Sequence, residues 1–185
     1  MNTFFGRREF LKTSMGTVAA SLMPTTVWSA LFPEPKHSRS LSFYNTHTGE
    51  HLKVCYYANS CYCKSALEKV NRVLRDHRTG DIMPIDIRLL DLLYTVRTRL
   101  NADSAFHIIS GYRSLKTNEM LRRTTSGVAK NSYHTKGKAI DIRLPDCKTS
   151  LLRKVCIDLQ AGGVGYYPRS DFVHLDTGDV RSWLF

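Results

Sequence analysis

The segment FVHLD at 172–176 places the strongest limit on the folds open to this chain. Its apolar and polar residues alternate, which is typical of a strand with one face in a core. Val173 and Leu175 are therefore expected to enter that core. His174 and Asp176 are expected to project together from the opposite face, so the chain needs a sheet whose second face carries polar groups.

A second segment, SYHTKGKAID at 132–141, supplies polar groups that can meet that face. His134 precedes Asp141 by seven residues, and Gly137 between them can take the positive φ of a turn. With His174, the two segments offer two imidazoles and one carboxylate. A catalytic zinc typically has three such protein ligands and keeps its fourth position for water. The sequence therefore indicates one Zn²⁺ per chain, with His134, Asp141 and His174 as candidate ligands.

Hydrophobic periodicity in the rest of the chain predicts a mixture of helices and strands. Strands are predicted at 41–44, 52–57, 106–109 and 138–143, and helices at 65–78, 87–100, 115–124 and 151–160. Asp86 is expected to cap the second of these helices. The glycine-rich run at 162–165 is expected to form tight turns, because it lacks the Lys-Ser/Thr pair of a phosphate loop. The mixture predicts an α+β domain. The remaining histidines are interpreted as core or surface residues: His37, His47, His51, His77 and His107.

Three motifs in this order resemble a known family: SGYRS at 110–114, SYHTKGKAID at 132–141 and FVHLDTG at 172–178. They are similar to the YcbK-type (murein endopeptidase K) branch of the D-Ala-D-Ala carboxypeptidase and hedgehog-like zinc metallopeptidases. The resemblance runs from about residue 41 to residue 183. It implies a central, mostly antiparallel sheet flanked by helices, with the zinc site in a surface cleft. It also implies cleavage of the peptide crosslinks of peptidoglycan, with the zinc ligands on the three residues proposed above.

The same resemblance implies roles for further residues. Arg113 matches an arginine that lies beside the substrate carbonyl in related enzymes, where its guanidinium can stabilise a developing oxyanion. Relatives supply a general base as Glu or His three or two residues before the last metal histidine, and these positions hold Asp171 and Phe172 here. Asp171 and Asp176 are the candidates for the base, with Asp176 slightly favoured. Orienting a metal ligand is the alternative role for either carboxylate.

The net charge leaves several partners open. The formal charge is +11, of which all but +2 lies beyond residue 30, and such a field attracts nucleic acid, anionic lipid or the carboxylate-rich peptides of a bacterial wall. The resemblance favours peptidoglycan and no nucleic-acid partner. Two alternatives to an endopeptidase are a D,D- or L,D-carboxypeptidase on stem peptides and a non-catalytic peptidoglycan-binding protein with the same fold. The crosslink type also stays open, between D-Ala to diaminopimelate and diaminopimelate to diaminopimelate.

The first thirty residues resemble a twin-arginine export signal. Arg7 and Arg8 are followed by FLK at 10–12 and by an apolar stretch at 15–23. That stretch is shorter than the ~20 residues needed to cross a bilayer. The predicted location is therefore the periplasm, with the Tat export machinery as a partner and membrane contact only through an uncleaved signal.

The predicted organisation is a twin-arginine-type export signal at 1–29, a linker at 30–40 and a zinc peptidase domain at 41–185. The five cysteines have no paired C-x-x-C spacing, which argues against a Cys-ligated metal. In an exported protein they allow one or two disulfides and leave at least one thiol free.

Replacing both Arg7 and Arg8 by Lys is expected to hold the protein inside the cell, because paired arginines are the feature that the twin-arginine route reads. Cell fractionation followed by immunodetection measures the distribution. A Lys12→Arg variant keeps the arginine pair and should be delivered like the parent protein. Unchanged delivery of the double variant would show that another export route is used.

Overall fold

One eight-stranded sheet organises the part of the chain that the computed structural model describes, residues 38–125 and 127–185. The strands are β1 (Arg39–Asn45), β2 (His51–Ala58), β3 (Cys61–Tyr62), β4 (Phe106–Ser110), β5 (Ala139–Arg143), β6 (Gly163–Tyr167), β7 (Phe172–Asp176) and β8 (Arg181–Leu184). Their order across the sheet is β3-β2-β1-β4-β5-β7-β6-β8. All neighbouring pairs are antiparallel except β1 with β4 and β6 with β8. The sheet is thus mixed, with antiparallel pairs in the majority.

Four α-helices complete the described fold: α1 (Lys64–Val73), α2 (Ile87–Leu100), α3 (Leu115–Thr124) and α4 (Thr149–Asp158). The predicted α+β class is confirmed. Asp86 caps α2 as predicted, because its side chain accepts a hydrogen bond from the Arg88 backbone N–H. Ser114 caps α3 in the same way, accepting from the Thr117 N–H.

Helix α1 ends at Val73, earlier than the predicted residue 78. The chain turns here because the Asp76 carboxylate accepts hydrogen bonds from the N–H groups of Arg78 and Ser114, at 2.9 Å each. The Leu74 carbonyl also accepts from the Tyr112 N–H at 2.7 Å. These partners come from a distant segment, so the helical pattern alone could not place the end of α1.

The core lies on one face of the sheet. Helix α1 packs on β2, α2 packs on β1, and α4 packs on β6 and β7. The inward side chains of β5 and β7 include Ile140, Ile142, Val173 and Leu175, each exposed by 1% or less. The predicted entry of Val173 and Leu175 into the core is therefore confirmed. The alternate residues of these strands project from the face opposite to α1, α2 and α4.

The predicted tight turns at 162–165 are wrong, because residues 163–167 form strand β6. The glycines serve close packing instead. A Cβ at Gly163 would overlap the Asp176 carboxylate and the Arg181 guanidinium. A Cβ at Gly165 would overlap the ring of Trp183. Glycine is needed here because neighbouring side chains occupy the space of its missing side chain.

The N-terminal border of the sheet differs slightly from the sequence interpretation. The predicted hairpin of 41–44 and 52–57 is confirmed by β1 and β2, but β1 begins at Arg39, inside the segment interpreted as a linker. The predicted export signal lies outside the described residues. Within 38–125 and 127–185, no helix is both long and apolar enough to cross a membrane. The five cysteines are free thiols.

Candidate metal centre

The centre is built on a pair of residues that face each other across two strands. Asp141 of β5 and His174 of β7 are direct partners in the antiparallel register. Directly opposed side chains lie on the same face of a sheet. The result is a contact of 2.8 Å between Asp141 Oδ1 and His174 Nδ1.

The third residue, His134, is carried by a 3₁₀ helix, Tyr133–Lys136, just before β5. Ser132 caps the start of this helix, since its side chain accepts from the His134 N–H. Gly137, with φ +64°, caps its end. The positive φ predicted for Gly137 is confirmed. His134 Nε2 lies 3.1 Å from His174 Nδ1 and 3.3 Å from Asp141 Oδ1.

The 3₁₀ helix is held from outside by the segment before α2. The Gly137 carbonyl accepts a hydrogen bond from the Asp86 N–H at 2.9 Å. A Cβ on Gly137 would overlap the Pro84 carbonyl oxygen. Thr177, just after β7, donates its hydroxyl to the Asp86 carboxylate at 2.9 Å. The helix that carries His134 is therefore tied to the end of the strand that carries His174.

Hydrogen bonds orient both imidazoles. His134 Nδ1 lies 2.8 Å from the Gly111 carbonyl oxygen, so this nitrogen donates and Nε2 is left as an acceptor. His174 Nε2 lies 3.0 Å from Asp176 Oδ2, so in the neutral ring Nε2 donates and Nδ1 is left as an acceptor. Such outer partners are the usual means of fixing the tautomer of a metal-binding histidine. The two free nitrogens and Asp141 Oδ1 converge.

The donor set fits a zinc ion. The three ligand atoms are mutually separated by 2.8, 3.1 and 3.3 Å. Two atoms that each lie ~2.0–2.1 Å from a tetrahedral zinc are separated by about 3.3 Å. His134, Asp141 and His174 are only 3%, 7% and 8% exposed. Two neutral imidazole nitrogens and one carboxylate oxygen are ligands that zinc prefers, and three of them leave a coordination position open.

Asp176 is the most enclosed carboxylate beside the centre. It is 0% exposed, and it accepts hydrogen bonds from the N–H groups of Gly163 at 3.2 Å and Gly178 at 2.8 Å. Arg181 binds it with both terminal nitrogens, at 3.1 and 2.7 Å. Together with the contact to His174, these bonds fix the carboxylate in one orientation.

Charge interactions and hydrogen bonds within the centre outweigh the effect of burial on the pKa of two of the three residues. Burial alone would raise the pKa of Asp141, but the adjacent His134 and His174 imidazoles hold it well below its usual range. Burial would lower the pKa of His174, but hydrogen bonds to Asp141 and Asp176 raise it to about 9. For His134 burial dominates, and its pKa is lowered. The carboxylate is thus held ionised, as a metal ligand must be.

Arg113 lies against the candidate metal ligands. Its Nη2 is 3.6 Å from Asp141 Oδ2. Its contacts to the side chains of Ser110 and Asn118 are long, at 3.2 and 3.4 Å, and its buried Nε has no partner within the described residues. Burial lowers the pKa of this guanidinium, and the Asp141 carboxylate opposes that effect. Arg113 is therefore a cation with unused donor capacity next to the centre.

The loop that carries Arg113 is anchored by Asp76. The Asp76 carboxylate is 1% exposed and accepts from the Ser114 N–H. Burial raises its pKa, but hydrogen bonds from Thr117, Ser114 and Arg78 outweigh burial and lower the pKa to about 2. The Arg113 N–H donates to the His134 carbonyl at 3.2 Å. The arginine loop and the 3₁₀ helix are thus joined.

A cleft of about 400 Å³ opens over the centre. One side is an aromatic wall made of Tyr167, Phe172, Trp183 and Phe185. Tyr167 stacks on Phe172 with ring centroids 4.4 Å apart, and its hydroxyl accepts from Trp183 Nε1 at 3.2 Å. This wall and Arg181 were not predicted as site residues. Arg181 and Trp183 are two residues apart and therefore share one face of a strand. This spacing could have indicated that both side chains belong to the same site.

The two candidates for the general base lie in different places, and neither faces the cleft. Asp176 is enclosed behind His174. Asp171 does not line the cleft but belongs to a neighbouring pocket, where Thr149 donates its hydroxyl to the carboxylate at 2.9 Å. The structure thus brings together His134, Asp141, His174, Arg113 and Asp176, and leaves Asp171 apart.

Comparisons with known proteins identify relatives of this chain. A family model described as peptidoglycan L,D-endopeptidase MepK matches residues 34–183. The chain is 42% identical over 178 residues to peptidoglycan L,D-endopeptidase MepK of Escherichia coli (strain K12), which covers 96% of each protein. It is 39% identical over 178 residues to the probable peptidoglycan L,D-endopeptidase MepK of Haemophilus influenzae, covering 96% of this chain and 95% of that relative. No solved structure gives a significant match.

The chain therefore belongs to the peptidoglycan L,D-endopeptidase MepK family. This confirms the resemblance that the three motifs indicated.

The purified folded protein is expected to bind about one zinc per chain, because the donor set supplies three ligands and leaves a water position. A double variant, His134→Ala with His174→Ala, should lose the metal. Elemental analysis after dialysis measures the content. The matched control is His47→Ala with His77→Ala, which removes two stacked imidazoles outside the centre and should keep the zinc. Stoichiometric zinc in the first double variant would place the site elsewhere.

Proposed function

We propose that this chain is a zinc-dependent endopeptidase that hydrolyses the peptide crosslinks of bacterial peptidoglycan. The observation that carries the proposal is the convergence of His134, Asp141 and His174 beneath a cleft, with the Arg113 guanidinium beside them. The names of the relatives support peptidoglycan as the substrate and an L,D bond as the bond that is cut.

The metal would be held by His134 Nε2, His174 Nδ1 and a carboxylate oxygen of Asp141. When bound, zinc polarises a substrate carbonyl and lowers the pKa of bound water from about 15.7 towards ~7. The burial of the three side chains keeps bulk water away from the ligand side of the centre. The side towards the cleft remains accessible to a peptide.

Arg113 is proposed to stabilise the negative charge that develops on the carbonyl oxygen. The hydrogen bonds of its terminal nitrogens are long, at 3.2 and 3.4 Å, which leaves these nitrogens available to a substrate oxygen. Because the loop is fixed by Asp76 and by the His134 carbonyl, little reorganisation is needed when the charge appears. Preorganised donors of this kind typically supply a large part of the rate enhancement.

Asp176 is proposed as a positioning residue and not as the base. It has no exposed surface, and its oxygens are bound by His174, Arg181 and two backbone N–H groups. A general base must come within hydrogen-bond reach of the proton that it abstracts. Asp176 therefore acts through His174, whose Nδ1 it keeps directed at the metal position.

The proposed place of action is the periplasm, reached through the twin-arginine-type signal at 1–29. The proposal is supported by the motif around Arg7 and Arg8 and by the location of a peptidoglycan substrate outside the inner membrane. The basic charge of the domain suits the carboxylate-rich peptides of that substrate.

Incubation of the zinc-loaded protein with crosslinked muropeptides is expected to convert dimers into monomers, since an endopeptidase cuts between two peptide arms. Chromatography with mass spectrometry identifies the products and the bond that was cut. Dimers of both crosslink types, and a monomeric stem peptide, are compared in parallel. Release of only a terminal amino acid from the monomer would show a carboxypeptidase. The absence of any cleavage would favour a binding protein.

Arg113→Ala is expected to lower turnover by ~100- to 1,000-fold, because one oxyanion donor is lost. Zinc content should persist, since guanidinium is not a ligand. Arg113→Lys should fall between alanine and the parent, because a point charge attracts the oxyanion without the planar donor fork. The readouts are kcat on crosslinked dimers and zinc per chain.

The matched control for this series is Arg99→Ala, an exposed arginine on α2 away from the cleft. It should keep parental turnover. Near-parental activity of Arg113→Ala with zinc bound would remove Arg113 from the mechanism.

A further inference from the structure

A second pocket lies beside the metal centre on the same face of the sheet. This charged pocket has a volume of about 550 Å³. Its polar lining consists of His107 on β4, Arg143 on β5, and Asp146, Cys147, Lys148, Thr149 and Asp171, and the Asp146 carboxylate is already bound by Ser104. None of these residues has a part in the proposed mechanism.

The strand register places this pocket next to the ligands. Arg143 is two residues beyond Asp141 on β5, so the two side chains share a face and lie ~6.6 Å apart along the strand. His107 is the direct partner of Arg143 across the β4–β5 pair. Asp171 immediately precedes Phe172, which belongs to the aromatic wall of the cleft. A ligand that extends from the cleft along β5 therefore meets the charged pocket.

The pocket presents opposite charges side by side. Arg143 Nη1 lies 3.7 Å from Asp171 Oδ2, which is too long for a hydrogen bond. Asp171 is fixed by the Thr149 hydroxyl at 2.9 Å, whereas the Arg143 side chain donates no hydrogen bond to any described residue. The ammonium of Lys148 adds a further cation without a salt-bridge partner among the described residues. Both signs of charge are thus available to a ligand.

We infer that the charged pocket binds the amino-acid headgroup of a second peptide arm, with Arg143 on its carboxylate and Asp171 on its ammonium. A headgroup with both charges on one carbon satisfies the two side chains at once. A simple carboxylate would be repelled by Asp171, and a simple ammonium by Arg143 and Lys148. Guanidinium and carboxylate also form the strongest, bidentate type of hydrogen-bonded pair.

This inference rests on the proposed function and makes it more specific. If one arm of a crosslink occupies the cleft and the other reaches the charged pocket, the enzyme contacts the substrate on both sides of the scissile bond. Binding energy from the second arm is unavailable to a single stem peptide. The pocket therefore favours crosslinks over carboxypeptidase substrates.

The test uses the zinc-loaded enzyme, a crosslinked dimer with a free amino-acid headgroup, and the same dimer after N-acetylation of that headgroup. Acetylation removes the ammonium charge. For the parent, acetylation is expected to raise KM by ~10- to 100-fold, since a hydrogen bond to a charged group is lost. Arg143→Ala should raise KM for the free dimer by a similar factor, with kcat largely kept, and Arg143→Lys should recover part of the loss.

Asp171→Asn distinguishes recognition from a role in proton transfer. If Asp171 is a recognition residue, the Asp171→Asn variant should have a raised KM for the free dimer. Acetylation of the dimer should then raise the KM of this variant little further, because both changes remove the same contact. As a general base it would lose kcat equally on both dimers. Lys154→Ala, an exposed lysine on α4 outside the pocket, is the matched control and should retain the parental KM.

Several outcomes would overturn the inference. Parental KM values in both Arg143→Ala and Asp171→Asn, or indifference of the parent to acetylation, would exclude the charged pocket while leaving the endopeptidase proposal intact. An equal loss of kcat on both dimers in Asp171→Asn would return Asp171 to catalysis. Failure of the parent to cleave any dimer would remove the proposed function itself, and this inference with it.

Discussion

The site depends on the direct opposition of Asp141 and His174 across the β5–β7 pair. Side chains alternate between the two faces of a strand, so a shift of one residue in this register would turn one of them into the core. The apolar neighbours prevent that shift. Ile140 and Ile142 on β5 and Val173 and Leu175 on β7 are fully or almost fully buried, and their burial fixes which residues face outward. The hydrophobic core thus sets the position of two of the three candidate ligands.

The third ligand is positioned by different means. His134 lies outside the sheet and is held by connections to two other segments, through the Gly111 carbonyl and the Arg113 N–H of one loop and through the bond between Asp86 and Gly137. Two of these contacts join backbone groups, and the third joins the His134 side chain to a backbone carbonyl. The centre therefore combines a pair fixed by strand register with one residue fixed by a network of loops, and Arg113 belongs to the same network.

The sequence was informative wherever the signal was local. The alternation at 172–176 gave the correct faces for Val173 and His174, and the spacing of His134, Gly137 and Asp141 indicated a turn that the structure contains. Sequence patterns failed to predict features that depend on contacts with residues distant in the chain. The segment at 163–167 is a strand because it pairs with β7 and β8, and it needs glycines because Asp176, Arg181 and Trp183 fill the adjacent space. Asp176 does share a face with His174, but Arg181 and β6 enclose its carboxylate. The alternation of apolar and polar residues does not predict which outward-facing side chains are buried by other segments.

The connection between β6 and β7 has a consequence for how the centre forms. These strands are joined by four residues, so they can pair early as a local hairpin, whereas β5 is separated from β7 by α4 and β6. Asp176 meets Gly163 within that hairpin, but His174 meets Asp141 only when the hairpin docks on β5. The complete set of candidate ligands therefore exists only in the docked state. A metal that binds this state and not the open one favours docking by mass action, so the ion would act as a clamp on the fold as well as a participant in the chemistry.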